Sequence, residues 1–277
     1  MVYRDILVHV PLLQSEAQLE VGVMLAKQFG AHLTGICSLP ETAMLRSAVQ
    51  NPFLRLDRAE VDQSIQREYE EAAVAEERFN AAAKEKGVSH SWLIGEGDAA
   101  DLIIHACRLE DLAVVEQCAV ASDLLWGPAV QLALSGHPAL IIPRSWLSPV
   151  FPRCALVAWN GSAQSATAVR KALPLLIRAE HVTLLIGVSR AAFPTNMRVP
   201  PLDIVGYLQR NGVRVVAKHL DVPDAEAGAA ILKAAEDIKA DLIVMGAFGR
   251  SRFSEWVLGG ATRHVLEHMT VPVFMAH

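Results

Sequence analysis

The sequence predicts an α/β protein made of two tandem, doubly wound domains, each with a five-stranded parallel sheet. Short apolar segments alternate with amphipathic ones along the 277 residues, as in parallel strands that helices cover on both faces. The order of these segments in the first half is repeated in the second half. Hydrophobic residues make up 52% of the chain and charged residues 20%, so both halves can bury a core.

Each copy begins with a strand, a helix and a second strand. In the first copy these are DILVHV (5–10), a helix over 15–30 that ends with Gly30 as its C-cap, and AHLTGICSL (31–39). In the second copy they are CALVAW (154–159), a helix over 162–179, and HVTLLIGV (181–188). Both copies are therefore predicted to start with the same strand–helix–strand unit.

The remaining elements also correspond between the copies. The matched pairs are GVSHSWLIG (87–95) with GVRVVAKHL (212–220), the helix and strand of 98–116 with those of 225–246, and HPALIIP (137–143) with VPVFMAH (271–277). Asp111 aligns with Asp241 at an offset of 130, and Pro138 aligns with Pro272 at an offset of 134. The first copy is therefore four residues shorter between its fourth and fifth strands.

The two predicted domains, residues 1–147 and 148–277, meet at the Pro-rich segment 144–153 and differ in charge. The first has 11 Lys+Arg and 20 Asp+Glu, a net charge of −9. The second has 14 and 10, a net charge of +4, and the whole chain has −5. A long helix predicted over 57–87 contributes the acids Glu60, Asp62, Glu68, Glu70, Glu71, Glu76, Glu77 and Glu85. A solvated helix face is the favoured interpretation, and a partner-binding surface is the alternative.

Composition argues against several classes of protein. The negative net charge is atypical of a nucleic-acid-binding protein, and no apolar run has the length of a membrane span. The start MVYRDILVHV does not resemble a signal peptide. Four cysteines without ligand spacing are expected to be small buried hydrophobes in a reducing compartment: Cys37, Cys107, Cys118 and Cys154. We therefore expect a cytoplasmic protein that has no metal site.

The candidate ligand site follows the fourth strand of the second copy. The segment GAFGRSRFSEWVLGGATRHVLEH (246–268) contains Gly246, Gly249, Arg250, Gly259, Gly260 and Thr262. Glycines let backbone N–H groups approach a ligand closely, and the start of the following helix adds a positive end. Together with a cation and a hydroxyl, these groups are typical of a phosphate-binding loop.

The spacing Gly-x2-Gly-x9-Gly, followed by a helix and a VP-V strand, resembles the signature of universal stress proteins. ALVAWNGS (155–162) and GGATRHVLEHMTVPV (259–273) resemble tandem members of that family. The resemblance is strong over 153–277 and mainly architectural over 1–147. It implies a Rossmann-like fold of the adenine-nucleotide-hydrolase type, ATP binding, dimerisation and a stress-linked role.

The resemblance also implies which residues contact the nucleotide. They are Trp159, Asn160, Val188, Gly246, Phe248, Gly249, Arg250, Gly259, Gly260, Ala261 and Thr262. Asn160 departs from the family, which usually has an acid there, and Gly260 departs from the usual Ser or Thr. Asn lacks the charge that helps to hold a cation, so ATP is expected with or without Mg²⁺.

The first copy lacks these glycines. Glu116 aligns with Gly246, and Ala119 aligns with Gly249. Because a carboxylate repels phosphate, we predict that only the second domain binds nucleotide. In the family, fifth strands commonly pair across a dimer. The resemblance therefore predicts that the fifth strands of the two copies pair, as an intramolecular pseudo-dimer or between chains of a homodimer.

Two other patterns are given structural interpretations. GEGDAA (95–100) matches G-x-G-x-x-A but follows a third strand, so Asp98 is predicted to cap the next helix. HVLEH (264–268) matches H-x-x-E-H, which needs a third ligand from elsewhere in the chain. Because this helix is followed directly by a buried strand, its histidines are interpreted as partly buried surface groups, and zinc is not expected.

The favoured function is a regulatory protein that binds an adenine nucleotide in its second domain. A slow ATPase or nucleotidyl-transfer enzyme is one alternative, and a nucleotide-free interaction module is another. The sequence contains no Ser–His–Asp order and no G-x-x-x-x-G-K-[ST] motif, so no catalytic residue is assigned.

Overall fold

A computed structural model describes residues 2–12, 16–51, 53–117, 127–144, 146, 148, 151–187, 200–247 and 260–277. The elements of the first half are β1 (Asp5–His9), α1 (Ala17–Phe29), β2 (His32–Leu39), α2 (Pro40–Val49), α3 (Arg58–Lys86), β3 (His90–Glu96), α4 (Ala99–Ala106), β4 (Leu112–Glu116), α5 (Pro128–Leu134) and β5 (Ala139–Ile142). Those of the second half are β6 (Cys154–Trp159), α6 (Ala163–Arg178), β7 (His181–Gly187), α7 (Ile204–Arg210), β8 (Val215–Leu220), α8 (Ala227–Asp237), β9 (Leu242–Gly246), α9 (Gly260–His268) and β10 (Val273–Ala276).

The strands form a single ten-stranded sheet in the order β3-β2-β1-β4-β5-β10-β9-β6-β7-β8. Neighbouring strands within each half are parallel, as predicted. The halves meet at β5 and β10, which pair antiparallel with Leu140 opposite Phe274. The predicted α/β fold is confirmed, and the fifth strands pair within one chain, so the two predicted sheets join into one.

The strand registers reproduce the predicted repeat. Val8 lies opposite Val114 in the first half, and Val157 lies opposite Val244 in the second, which gives the offset of 130 between the fourth strands. Ile142 lies opposite Glu116, and Ala276 lies opposite Gly246, which gives the offset of 134 between the fifth strands. The four-residue difference is therefore confirmed.

The first half has an insertion between its second and third strands. Leu33 lies opposite His90, and Val182 lies opposite Val215, so the offset between the copies falls from 149 at the second strand to 125 at the third. The first half is therefore 24 residues longer at this point. The extra length holds α2, which the sequence did not predict as a separate helix, and part of the long helix α3.

Helices cover both faces of the sheet and form two cores that extend through both halves. One core lies between one face of the sheet, including residues of β1, β4, β6 and β9, and helices α1, α3, α6 and α7. The other joins the opposite face to helices α4, α5, α8 and α9. Phe274 belongs to the first core and Met275 to the second, as expected for alternating side chains of a buried strand. The strands that join the two halves are thus buried on both faces, like the other central strands of the sheet.

The long helix α3 begins and ends within one residue of its predicted bounds. The Asp57 carboxylate accepts a hydrogen bond from the backbone N–H of Ala59, and Gly87 ends the helix with φ of 66°. Phe79 packs under the sheet against Gly35, where a Cβ atom would lie 2.8 Å from the Phe79 ring. No helix of the described ranges is long and apolar enough to cross a membrane.

Candidate functional site

The candidate site lies at the carboxyl ends of β6 and β9. From β6 the chain continues to β7 on one side, whereas β9 flanks β6 on the other, so the strand order reverses between them. Ligands of open α/β sheets bind at such a point. Ala158 lies opposite Met245, and the next residues, Trp159 and Gly246, end the two strands side by side. The structure thus brings two of the predicted site residues together.

Asn160 forms the turn from β6 into α6. Its Oδ1 accepts a hydrogen bond of 3.1 Å from the backbone N–H of Ser162, and Gly161 between them has φ of 73°. Ser162 caps the helix, because its Oγ accepts from the N–H of Ser165 at 3.1 Å. Asn160 is exposed, whereas Trp159 is 8% exposed and packs into the core. A ligand at this turn would meet the amide of Asn160 rather than the indole.

Gly246 is held tightly against the start of α6. A Cβ atom at this position would lie 2.6 Å from the backbone nitrogen of Ser165 and 2.7 Å from the carbonyl carbon of Gln164. The neighbouring atoms are backbone, which cannot move aside as a flexible side chain can. Glycine is therefore required for the packing of β9 on α6, whether or not a ligand binds nearby.

Within the described residues, helix α9 runs from Gly260 to His268, and the sequence predicts a helix that begins near Gly260. Gly260 is exposed, and a Cβ atom there would have no heavy atom of the described residues within 4 Å. Thr262, by contrast, is 4% exposed, so its hydroxyl is covered by protein. Gly228 of α8 lets the two helices approach, since a Cβ atom on it would lie 2.7 Å from Cβ of His264. The first turn of α9 therefore offers open backbone at Gly260 and a buried threonine behind it.

Part of the predicted site falls outside the described residues, namely Val188, Phe248, Gly249, Arg250 and Gly259. Ala119 and Cys118 of the first half are also outside them. The site is thus described at the strand ends and at the first turn of α9, where the predicted residues are Trp159, Asn160, Gly246, Gly260, Ala261 and Thr262.

In the first half, an ion pair occupies the position that corresponds to Gly246. Glu116 ends β4, and its Oε1 lies 2.7 Å from Nε of Arg144, which follows β5. The Glu116 side chain is largely buried, while that of Arg144 is exposed. An ion-paired carboxylate therefore stands where the second half has only backbone, and Arg144 offsets the charge on which the repulsion argument from the sequence relies.

The insertion brings a second acid to the same edge of the first half. Glu68 of α3 is buried, which corrects the interpretation of all eight helix acids as solvated. Its carboxylate accepts hydrogen bonds from the backbone N–H groups of Glu41 at 3.1 Å and Thr42 at 2.6 Å, in the first turn of α2. Because α2 follows β2 directly, this internal carboxylate satisfies the helix start next to a strand end.

Helix α3 also reaches the turn after β1. Pro11 corresponds to Asn160 at the offset of 149, and its carbonyl oxygen accepts a hydrogen bond of 3.4 Å from Nη2 of Arg78. Side chains of the first half thus contact the turn after β1 and the start of the helix after β2, while Asn160 remains exposed at the corresponding turn of the second half.

Sequence reasoning missed a polar contact beside Gly246. Gln164, the second residue of α6, and His277, which follows β10, lie with their Nε2 atoms 3.3 Å apart. Both positions could have been placed at this edge, because a residue that follows a strand end in a parallel sheet lies on the carboxyl side. The polar rim of the crevice therefore extends from Asn160 towards β10.

The structural interpretations of the remaining motifs agree with the geometry. Asp98 caps α4 by accepting a hydrogen bond of 2.8 Å from the N–H of Ala100, as predicted. Cys37 and Cys107 are buried, and burial raises their pKa values to about 11 and about 12, so both stay protonated thiols. Their packing role matches the prediction.

The two histidines of HVLEH stack on one face of α9. The rings of His264 and His268 are 4.4 Å apart at an interplanar angle of 23°, and His268 Nδ1 lies 2.9 Å from the carbonyl oxygen of His264. Within the described ranges, no three His, Cys, Asp or Glu side chains converge as metal ligands would.

Comparison with known proteins relates the second half of the chain to one family. Residues 153–277 match the model of the universal stress protein family. This part of the chain is a universal stress protein domain. It contains β6 to β10 and every residue of the candidate site. No curated protein matches the chain.

The fold of the whole chain, including the half before the universal stress protein domain, is found in solved structures. A universal stress protein from Archaeoglobus fulgidus DSM 4304 has a TM-score of 0.71 and 17% identity, with 98% of this chain and 95% of that chain covered. A functionally unknown protein from Pseudomonas aeruginosa PAO1 has a TM-score of 0.57 and 16% identity, with 99% and 92% covered. At these identities the likeness concerns the fold.

Proposed function

We propose that the universal stress protein domain binds an adenine nucleotide, with ATP as the expected ligand, and that the protein acts in a cytoplasmic stress response by binding. The proposal is carried by the contrast between the two glycines of the crevice. Gly246 keeps the end of β9 tight on α6, while Gly260 leaves the start of α9 open. A strand end at the switch point of the sheet, followed in the chain by an exposed helix start, suits a phosphate.

The chemistry of the described residues fits such a ligand. The first N–H groups of α9 lack partners within the helix and carry the positive end of its dipole, so they would hold the phosphates. Asn160 offers an amide at the turn after β6, where a ribose or base would be hydrogen-bonded. Since Asn160 brings no carboxylate, we propose that binding does not depend strictly on Mg²⁺.

We also propose that one chain binds one nucleotide. The first half has Glu116 at the position of Gly246, and Arg144 neutralises it without opening the site. Glu68 already satisfies the N–H groups at the start of α2. A polyphosphate at this edge would have to compete with carboxylates that the chain itself supplies.

The test is calorimetric titration of the purified protein with ATP, with and without Mg²⁺. The informative pair of variants is Gly260→Asp and Gly260→Asn. Position 260 is open, so both side chains fit, and they differ only in charge. Two unit charges about 6 Å apart repel by about 0.7 kcal/mol in water and by about 2.8 kcal/mol at the effective dielectric of a protein surface, so Gly260→Asp should weaken ATP binding by roughly 3-fold to 100-fold.

The expected result is one ATP per chain, retained within a few-fold by Gly260→Asn and weakened by Gly260→Asp. Absence of binding at millimolar ATP would instead identify the protein as a nucleotide-free interaction module. Steady release of phosphate from ATP, lost together with binding in Gly260→Asp, would contradict a role in binding alone.

A further inference from the structure

The single sheet ends in two outer strands, β3 in the first half and β8 in the second. In the described part of the chain each of them pairs with one neighbour, β2 or β7. An edge strand presents backbone groups that another strand can pair with, and proteins normally protect such edges. The surroundings of these two edges decide what each could bind.

The insertion and β3 together hold much of the exposed apolar surface of the described residues. Of the 14 large hydrophobic residues that are exposed among the described ones, eight fall within 44–94: Met44, Val49, Phe53, Leu54, Leu56, Val74, Leu93 and Ile94. Phe53 is 92% exposed. Leu93 and Ile94 belong to β3, and α2 reaches β3 through the ion pair of Arg46 with Glu96. Exposed apolar residues at this density mark interaction surfaces.

The edge at β8 is the electrostatic counterpart of the edge at β3. Residues 40–96 contain 11 Asp+Glu and seven Lys+Arg, a net charge of −4. Residues 203–221, which span α7 and β8 with their flanking acids, contain Arg210, Arg214 and Lys218 against Asp203 and Asp221, a net charge of +1, and Arg210 pairs with Asp203 at 3.4 Å. Val216 of β8 is 64% exposed, and Leu202 before α7 is also exposed. Each edge thus combines apolar contacts with a net charge of one sign.

Along a strand, alternate residues direct their N–H and C=O groups to opposite sides, so the parity of the residue number shows which backbone groups face outwards. The Leu33 N–H donates to Ser89, and the Gly97 N–H donates to Leu39, so the odd-numbered residues of β3 bond to β2. Trp92 and Ile94 therefore direct their N–H and C=O groups to the open side.

The same parity applies to β8. The Val182 N–H donates to Arg214, so the even-numbered residues of β8 bond to β7. Val215, Ala217 and His219 therefore direct their backbone groups outwards. Strand β3 has seven residues and β8 has six, so their lengths match.

We propose that copies of this chain associate head to tail, with β8 of one copy added to β3 of the next. The first half runs antiparallel to the second, so a sheet that continues past β8 meets β3 in antiparallel pairing. Opposite charges fix which edges meet, and the exposed side chains of both edges become buried. Such an interface is heterologous, so each added copy leaves one edge of each kind available.

Two proline variants test the proposal without disturbing the ladders to β2 and β7. Ile94→Pro removes an outward N–H from β3, and Ala217→Pro removes one from β8. Leu109→Lys is the matched control, since Leu109 is an exposed apolar residue of the first half outside β3 and the insertion. The readout is molar mass by analytical ultracentrifugation over a range of protein and salt concentrations.

The expected wild-type result is mass that grows with protein concentration and falls with added salt. Each proline variant alone should be a monomer, and Leu109→Lys should behave as wild type. Mixed in equal amounts, the two variants should form a dimer of twice the monomer mass, because each supplies the edge that the other has lost. Folding is checked by thermal unfolding, and Leu93→Lys with Val216→Glu replaces any pair that does not fold.

A wild-type protein that stays monomeric at high concentration would overturn the proposal. So would a dimer that survives in Ala217→Pro and is lost in Ile94→Pro, since that pattern means β3 pairing with β3 of another copy. Nucleotide binding is not involved in either readout, so this proposal and the proposed function succeed or fail separately.

Discussion

Asp111 and Asp241 make the same contact in the two halves of the chain. The Asp111 Oδ2 accepts hydrogen bonds from the backbone N–H groups of Arg4 and Asp5 at 2.7 and 3.3 Å. Asp241 accepts from Arg153 through Oδ2 at 2.7 Å and from Cys154 through Oδ1 at 2.9 Å. Each aspartate directly precedes the fourth strand of its half, and its carboxylate accepts hydrogen bonds from backbone N–H groups at the start of the first strand.

Replacing either aspartate by alanine should lower the free energy of unfolding by about 2 kcal/mol, because two backbone donors lose a charged acceptor. The asparagine variants separate the two sites. Asp241 uses both oxygens, so Asp241→Asn turns an NH₂ group against one donor, whereas Asp111→Asn can keep its single accepting oxygen. Urea unfolding should show the larger loss for Asp241→Asn, and equal losses would contradict the described geometry.

The two glycines at the ends of the candidate site should respond oppositely to substitution. Gly246→Ala forces a methyl group onto the backbone of Gln164 and Ser165, which should cost about 1–3 kcal/mol of stability. Gly260→Ala meets no atom of the described residues within 4 Å and should stay within about 0.5 kcal/mol of wild type. Thermal or urea unfolding measures both, and a harmless Gly246→Ala would show that the strand end is looser than described.

Glu68 should be one of the most sensitive acids of the first half. Its carboxylate is buried and accepts two N–H groups of α2, so Glu68→Ala should lower stability by about 3 kcal/mol. Hydrogen exchange should accelerate at Glu41 and Thr42 before it does in the sheet. Glu71→Ala, on the exposed side of the same helix, is the control and should change stability by less than about 0.5 kcal/mol.

His9 should make the fold sensitive to mild acid. Burial lowers its pKa from 6.5 to about 4, and its Nε2 is buried with no hydrogen-bond partner among the described residues. Between pH 6.5 and 4, the imidazole of His9 is therefore protonated in the unfolded chain and neutral in the folded chain. Stability present above pH 6.5 is lost as pH falls through this window, by about 3 kcal/mol at most.

The measurement is urea unfolding between pH 4 and 7.5 for wild type and His9→Leu. The other groups titrate alike in both proteins, so the difference between the two curves isolates His9. The wild type should lose more stability than the variant as the pH is lowered. Parallel curves would mean that His9 gains a partner or water in solution.

The sequence was informative wherever the deciding signals are local. Helix α3 was predicted over 57–87 from its acidic stretch, and the structure shows that its ends are also local, with Asp57 as the cap and Gly87 as the left-handed terminus. The repeat was readable because strand positions recur at constant offsets. The pairing of the fifth strands was expected, but the sequence could not say whether it occurs within or between chains, since both place the same residues together.

What the sequence did not reveal depends on distant partners. Helix α2 begins at Pro40 without a polar cap, and its first N–H groups are satisfied by Glu68, more than 25 residues later. Because these partners are far away in the sequence, Glu68 could not be distinguished from the solvated acids of α3. Gly246 was interpreted as a ligand glycine, and its contact with Ser165 is visible only once β9 and α6 are side by side.

The antiparallel contact of β5 with β10 has a consequence for how the two halves can change. When two identical chains meet through a strand, every mutation appears on both sides of the contact, and dilution separates the partners. In one polypeptide the encounter is intramolecular, so the contact persists at any concentration. Each side can then mutate alone. Covalent linkage thus permits the two halves to specialise. The difference between Glu116 in the first half and Gly246 at the corresponding position of the second half is an example.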